Sequence, residues 1–177
     1  MNSIRLTAVV ISSSLSLVFT FAATSAKAET AVAGDLDFAA PINSKAGGGA
    51  GFGLRLGYHA HVPLVVATPE LGFSYHAFAG NSPIAVYRGV AGLRLALGEI
   101  VRPGVFAHVG VGHLQADAPA PDPSHTALTY DAGAFLDFTL LPIVNIGIHG
   151  AYDGVSGGSE GDGFAWATLG AHAELVF

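Results

Sequence analysis

The chain contains no cysteine, which removes disulfides and a cysteine-linked lipid anchor together. Charge is scarce as well. Only 11% of residues are charged, against roughly a quarter in soluble domains. Seven Lys/Arg stand against thirteen Asp/Glu, so no basic footprint for nucleic acid exists. Beyond Ala28 there is also no run of about 18 apolar residues, the length a membrane helix needs. Yet 51% of the chain is hydrophobic, which is oddly greasy for a soluble domain. A membrane β-barrel reconciles these facts, because it places apolar residues at every second position instead of in one run.

The N-terminus reads as a targeting segment. Arg5 supplies a positive charge, Leu6 to Ala23 is apolar, and Ala26-Lys27-Ala28 has the small-x-small form of a signal-peptidase site. Residues 1–28 are therefore expected to be a cleaved signal peptide, and residues 29–177 one barrel domain. The alternative is an uncleaved anchor. Cleavage removes Arg5 and Lys27, which leaves five Lys/Arg against thirteen Asp/Glu and a net charge of −8.

The remainder alternates at period two in segments of about ten residues. From Leu128 to Leu140, the even positions Leu128, Tyr130, Ala132, Ala134, Leu136, Phe138 and Leu140 are apolar. Between them lie Thr129, Asp131, Gly133, Phe135, Asp137 and Thr139. The same separation recurs at Phe52–Tyr58, Val65–Ala77, Tyr87–Leu97, Val144–Tyr152 and Ala167–Phe177. Two weaker strands, Val32–Ala39 and Val105–Val111, bring the expected total to eight. Polar breaks alternate in length. Long ones fall at Pro41–Gly49, Ala79–Pro83, Gln115–Thr126 and Gly154–Gly163, and short ones at His61–Pro63, Gly98–Pro103 and Leu141–Pro142. The expected fold is all-β, an eight-stranded antiparallel up-and-down transmembrane barrel with both termini on the short-turn side. Tyr58, Tyr75, Tyr87, Tyr130 and Tyr152 fall near strand ends, as an interfacial belt does.

The final strand, Leu169-Gly-Ala-His-Ala-Glu-Leu-Val-Phe177, ends on an aromatic residue and resembles the C-terminal signature of outer-membrane barrels. With the strand count and length, the chain is similar to the small OmpA/OmpX-type barrels. The resemblance implies an outer-membrane location among lipid and lipopolysaccharide. It also implies recognition by the barrel-assembly machinery, with Leu175 and Phe177 as the signal. It names no activity and no extracellular ligand.

The inward phase collects Asp35, Asp37, Arg55, Glu70, Arg88, Arg94, Asp131, Asp137, Asp153 and Glu174. Eight strands enclose a space only wide enough for side chains, so the favoured role of these residues is a salt-bridged plug in a non-enzymatic structural or loop-binding barrel. A narrow passive channel is the alternative. His59, His76, His108, His149 and His172 share the inward phase and read as hydrogen-bonding core residues, with no metal or cofactor expected. A third reading, a lipid-modifying enzyme, would draw on His76, Ser82 and Ser124 with His125. The loop from Ser156 to Gly163 carries Glu160 and Asp162 but matches no calcium loop. The acidic, Pro-rich stretch Gln115–Ser124 reads as an extended loop.

Overall fold

The structure, a computed structural model, describes residues 28–62, 64–80, 83–116, 124–157 and 163–177. The expected signal segment, Ser82, Asp117, Asp122, Glu160 and Asp162 lie outside the described residues, apart from Ala28 at the segment's end.

Eight strands run in chain order: β1 (Ala28–Pro41), β2 (Gly49–Val62), β3 (Val65–Phe78), β4 (Ile84–Leu97), β5 (Val101–Ala116), β6 (Ser124–Leu141), β7 (Val144–Val155) and β8 (Phe164–Val176). Each pairs antiparallel with its neighbours, and β1 pairs with β8 from Ala31↔Val176 to Pro41↔Trp166, which closes the barrel. Closure leaves no bare edge, so backbone N–H and C=O groups are satisfied between strands. The seam extends one step further, with Thr30 and Phe177 exchanging both backbone hydrogen bonds.

The long and short connections alternate as the sequence predicts, but several strands run further into the breaks. The departure that matters most for the interior is the fourth connection. Gly98–Pro103 was expected to be a turn, whereas the turn is only 98–100 and β5 begins at Val101. Pro103 sits three residues into the strand, where a missing N–H is tolerated. Gly98 carries the turn with φ +95°, and a Cβ there would lie 2.6 Å from the Val101 carbonyl oxygen. β1 is likewise longer than expected, at 14 residues.

The two faces separate as the alternation demands. Leu36 is 72% exposed and Leu169 66%, whereas Asp153 is 2% exposed. All five tyrosines point outward, and Tyr75 and Tyr87 pack together with ring centroids 4.9 Å apart. Inside, the long-loop end is filled by Ala39, Phe78, Val86, Leu114, Val155, Phe164 and Trp166. A smaller cluster of Val66, Ala96 and Phe135 lies toward the short turns, with Phe106 packed against it.

Candidate functional site

Between those two clusters the interior is ionic. All ten charged residues expected to face inward do so; nine lie within 4.0 Å of a group of opposite charge, and Asp37 faces His76 and His149. A buried charge is costly unless paired and hydrogen-bonded, and the register supplies the pairs. Arg55 donates to both oxygens of Asp35, at 2.8 and 3.0 Å, and to Glu70 at 3.0 Å. Glu70 meets His108 Nε2 at 2.7 Å, and the other nitrogen of that ring meets Asp131 at 2.5 Å. Arg88 spans Asp153 at 2.7 Å, Asp131 at 3.5 Å and the Ser74 hydroxyl at 3.0 Å. Thr168 completes this branch by donating to Asp153 at 2.6 Å.

The second branch starts at Asp37, which accepts from His149 at 2.9 Å and lies 3.3 Å from His76 Nε2. His149 faces His172, and His172 reaches Asp137 at 2.7 Å. Asp137 lies near Arg94 and Arg102, and Glu174 takes Arg102, His59 and the Asn145 amide as neighbours.

Sequence reasoning missed Arg102 because the residue fell inside the expected turn. It is 7% exposed and inward, so four arginines share the interior instead of three. Arg94 also differs from expectation. Its nearest carboxylate oxygen is 3.7 Å away, too far for a hydrogen bond. Its guanidinium lies instead over the Phe135 ring at 3.8 Å and near Phe106 at 5.6 Å, as a cation–π contact.

A recurrent rung explains how four histidines reach their acids. In each, a histidine lies directly opposite a glycine on the neighbouring strand, and that glycine lies opposite a carboxylate one strand further on. His149 reaches over Gly170 toward Asp37, and His172 over Gly147 toward Asp137. His108 reaches over Gly92 toward Glu70, and His76 over Gly51 toward Asp37. Strands lie about 4.8 Å apart, so a side chain at the middle position would stand where the imidazole lies. A Cβ on Gly147 would sit 2.5 Å from Asp137 Oδ1 and 2.7 Å from His172 Nε2. The many inward glycines make room for ionic contacts as well as fitting a narrow barrel.

Of the residues considered for an enzyme, Ser82 lies outside the described residues, and the structure does not join His76 to Ser124. His76 is buried, 5.6 Å from the Trp166 ring, and turned toward Asp37. Ser124 is exposed at the start of β6, three strands away and on the outward phase. Leu175 and Phe177, the expected assembly signal, are exposed on the outer wall.

Two groups in the described residues each bring three potential metal-ligand side chains within reach of one another. Glu29, His59 and His61 meet at the short-turn rim, and Asp35, His149 and His172 meet in the middle of the lumen, each with donor atoms within 4.8 Å of one another. The rim group lines a cavity of about 180 Å³ with Glu99, Arg102 and Asn145, whereas the mid-lumen cavity is about 70 Å³.

No family model and no curated protein matches the chain. Among solved structures, Neisserial surface protein A (NspA) is similar with a TM-score of 0.66 and 15% identity, over 84% of this chain and 97% of that one. The outer membrane enzyme PagL gives 0.59 and 16% identity, over 78% of this chain and 97% of that one. Ail, the attachment invasion locus protein of Yersinia pestis, solved with the heparin analogue sucrose octasulfate, gives 0.55 and 16% identity, over 85% and 99%. The chain has the fold of the small eight-stranded outer-membrane barrels.

Proposed function

We propose that this chain is an integral barrel of a Gram-negative outer membrane, delivered by the barrel-assembly machinery and set among outer-membrane lipid and lipopolysaccharide. Its role is structural or loop-mediated binding, and its interior is a plug that does not conduct. One observation carries this reading: the lumen is blocked twice. A seven-residue apolar cluster fills the long-loop end, and beneath it the ionic network leaves a cavity of only about 70 Å³, room for a few waters.

The long connections contain a single cation, Lys45, against Asp117, Asp122, Glu160 and Asp162. Loops of that charge would receive neutral or cationic partners and repel polyanions. In this they differ from what the sulfated ligand of Ail would require.

Planar-bilayer recording tests the plug. Folded protein is expected to give no discrete current steps, and stable, large steps would favour the passive channel. Enzymatic action is tested by lipid A mass spectrometry after overexpression. An unchanged lipid A profile is expected, and a lost or added acyl chain would overturn the non-enzymatic reading.

A further inference from the structure

We propose that the mid-lumen holds one divalent transition-metal ion of the Zn²⁺ or Co²⁺ kind, bound by His149, His172 and Asp35. The proposal does not depend on whether the barrel conducts.

The argument begins with the outer nitrogen of each ring. His149 Nε2 lies 2.9 Å from Asp37 Oδ1, and His172 Nε2 lies 2.7 Å from Asp137 Oδ1. An ionised carboxylate only accepts, so each Nε2 carries a proton, and in a neutral ring the Nδ1 is then a bare lone pair. Those two lone pairs face one another, Nδ1 to Nδ1, at 3.2 Å. Two acceptors at that distance repel unless something positive lies between them. Two nitrogens that share a tetrahedral ion at about 2.0–2.1 Å stand roughly 3.3–3.4 Å apart, so the pair is already set at a metal-ligand spacing.

Three further features fit the same ion. Asp35, directly opposite His172 across the seam, supplies a third donor within 4.8 Å of both rings. Arg55 engages both its oxygens, but a carboxylate offers about four lone-pair sites, so ligation is compatible with that pair. Next, a carboxylate on the far nitrogen of each histidine is the outer-shell arrangement that orients metal-binding imidazoles. It is built twice here, by Gly147-Ile-His149 on β7 and Gly170-Ala-His172 on β8 in antiparallel register. Finally, seven inward carboxylates face four inward arginines and His108, both of whose ring nitrogens meet carboxylates and so carry protons, which leaves two negative charges over among these residues, and a divalent ion supplies the two missing positive ones. Two imidazoles and one carboxylate suit zinc or cobalt better than calcium or magnesium, which prefer all-oxygen sets.

The plugged lumen calls for loading during folding. Protein refolded into detergent with Co²⁺ and then dialysed is expected to retain one ion per chain, with the visible absorption of tetrahedral cobalt and two histidine ligands by X-ray absorption. H149Q and H172Q should each lose at least nine-tenths of that signal, with folding of each variant checked by heat-modifiable migration. H61Q, which removes the rim group, should retain it. Folded wild type that holds no cobalt would overturn the proposal and leave a shared proton between the rings. Loss of the ion in H61Q, or its retention in both lumen variants, would also overturn it. Should neither lumen variant fold, the histidine count in wild type with H61Q as control still decides the matter.

Discussion

The two mouths of the barrel are built on opposite principles. At the long-loop end, Phe78, Phe164 and Trp166 interlock, with Phe78 edge-on to Phe164 at a centroid distance of 5.0 Å and Trp166 fully buried. At the short-turn end the lining is polar and the cavity is about 180 Å³. Water therefore has a way in from the short-turn side and meets a dry seal at the other. Ions nearest the seal are held by short bonds, as Arg88 is to Asp153 at 2.7 Å, whereas Arg102 near the wet mouth stands 3.6 Å from both its acids. Between the two mouths contact length follows dryness, whereas Arg94, 5% exposed, has the Phe135 ring in place of a close carboxylate. A charge without water needs a close partner, and one beside water does not.

The contrast breaks first at the seal. Trp166→Ala is expected to cost about 3–5 kcal/mol of unfolding free energy, the range for a large buried aromatic. Val66→Ala, in the smaller cluster, should cost about 1–2 kcal/mol from its two lost methyl groups. Urea unfolding in detergent measures both, and equal losses would mean that the long-loop end is no drier than the other.

The arginines sharpen the same comparison. Arg88→Ala leaves Asp131 and Asp153 short of a partner and is expected to cost about 3 kcal/mol, at the low end for a broken buried pair because a small cavity adjoins it. Arg102→Ala should cost about 1 kcal/mol, since water at the mouth can solvate its acids. A larger loss for Arg102 would reverse the assignment of wet and dry ends.

A last pair of variants tests the wall instead of the mouths. Leu136 and Asp137 are adjacent on β6 and face opposite ways. Leu136→Arg should cost roughly 2 kcal/mol on insertion into lipid bilayers, toward the lower end of the midplane range. Asp137→Asn should cost less, because an amide keeps one acceptor for His172. Comparable folding yields in vesicles would contradict the outward placement of Leu136.

Much of this was legible in the sequence, and what was not has a physical reason. Alternation is a local property, so the eight strands and the inward phase of Asp131, Asp137 and His149 followed from period two alone. Arg102 was lost because Pro103 resembles a turn residue from sequence, although a strand tolerates it near its start. Arg94 was expected to be an ion-pair anchor, since nothing local reveals that Phe135 and Phe106 come to lie beneath it. The rungs of histidine, glycine and acid depend on register across three strands, which the pattern of a single strand does not encode. One clue was present: Gly147-Ile-His149 and Gly170-Ala-His172 repeat one spacing on consecutive strands.

The seam between β1 and β8 also governs the order of events in folding. A neighbour pair such as β6 and β7 meets across a connection of two residues, 142–143, whereas Ala31 and Val176 are 145 positions apart. Bringing such distant segments together costs about 3 kcal/mol more in chain entropy than closing a tight hairpin, by the logarithmic growth of loop cost. The hairpins therefore assemble early, and the seam is the last join to form and the first to open. Asp37 on β1 reaches His149 on β7, and His59 on β2 reaches Glu174 on β8, so these links of the second ionic branch exist only once the cylinder is complete. Amide hydrogen exchange reads this directly: seam amides of β1 and β8 should exchange ahead of those between β4 and β5, and the reverse order would place the weak join elsewhere.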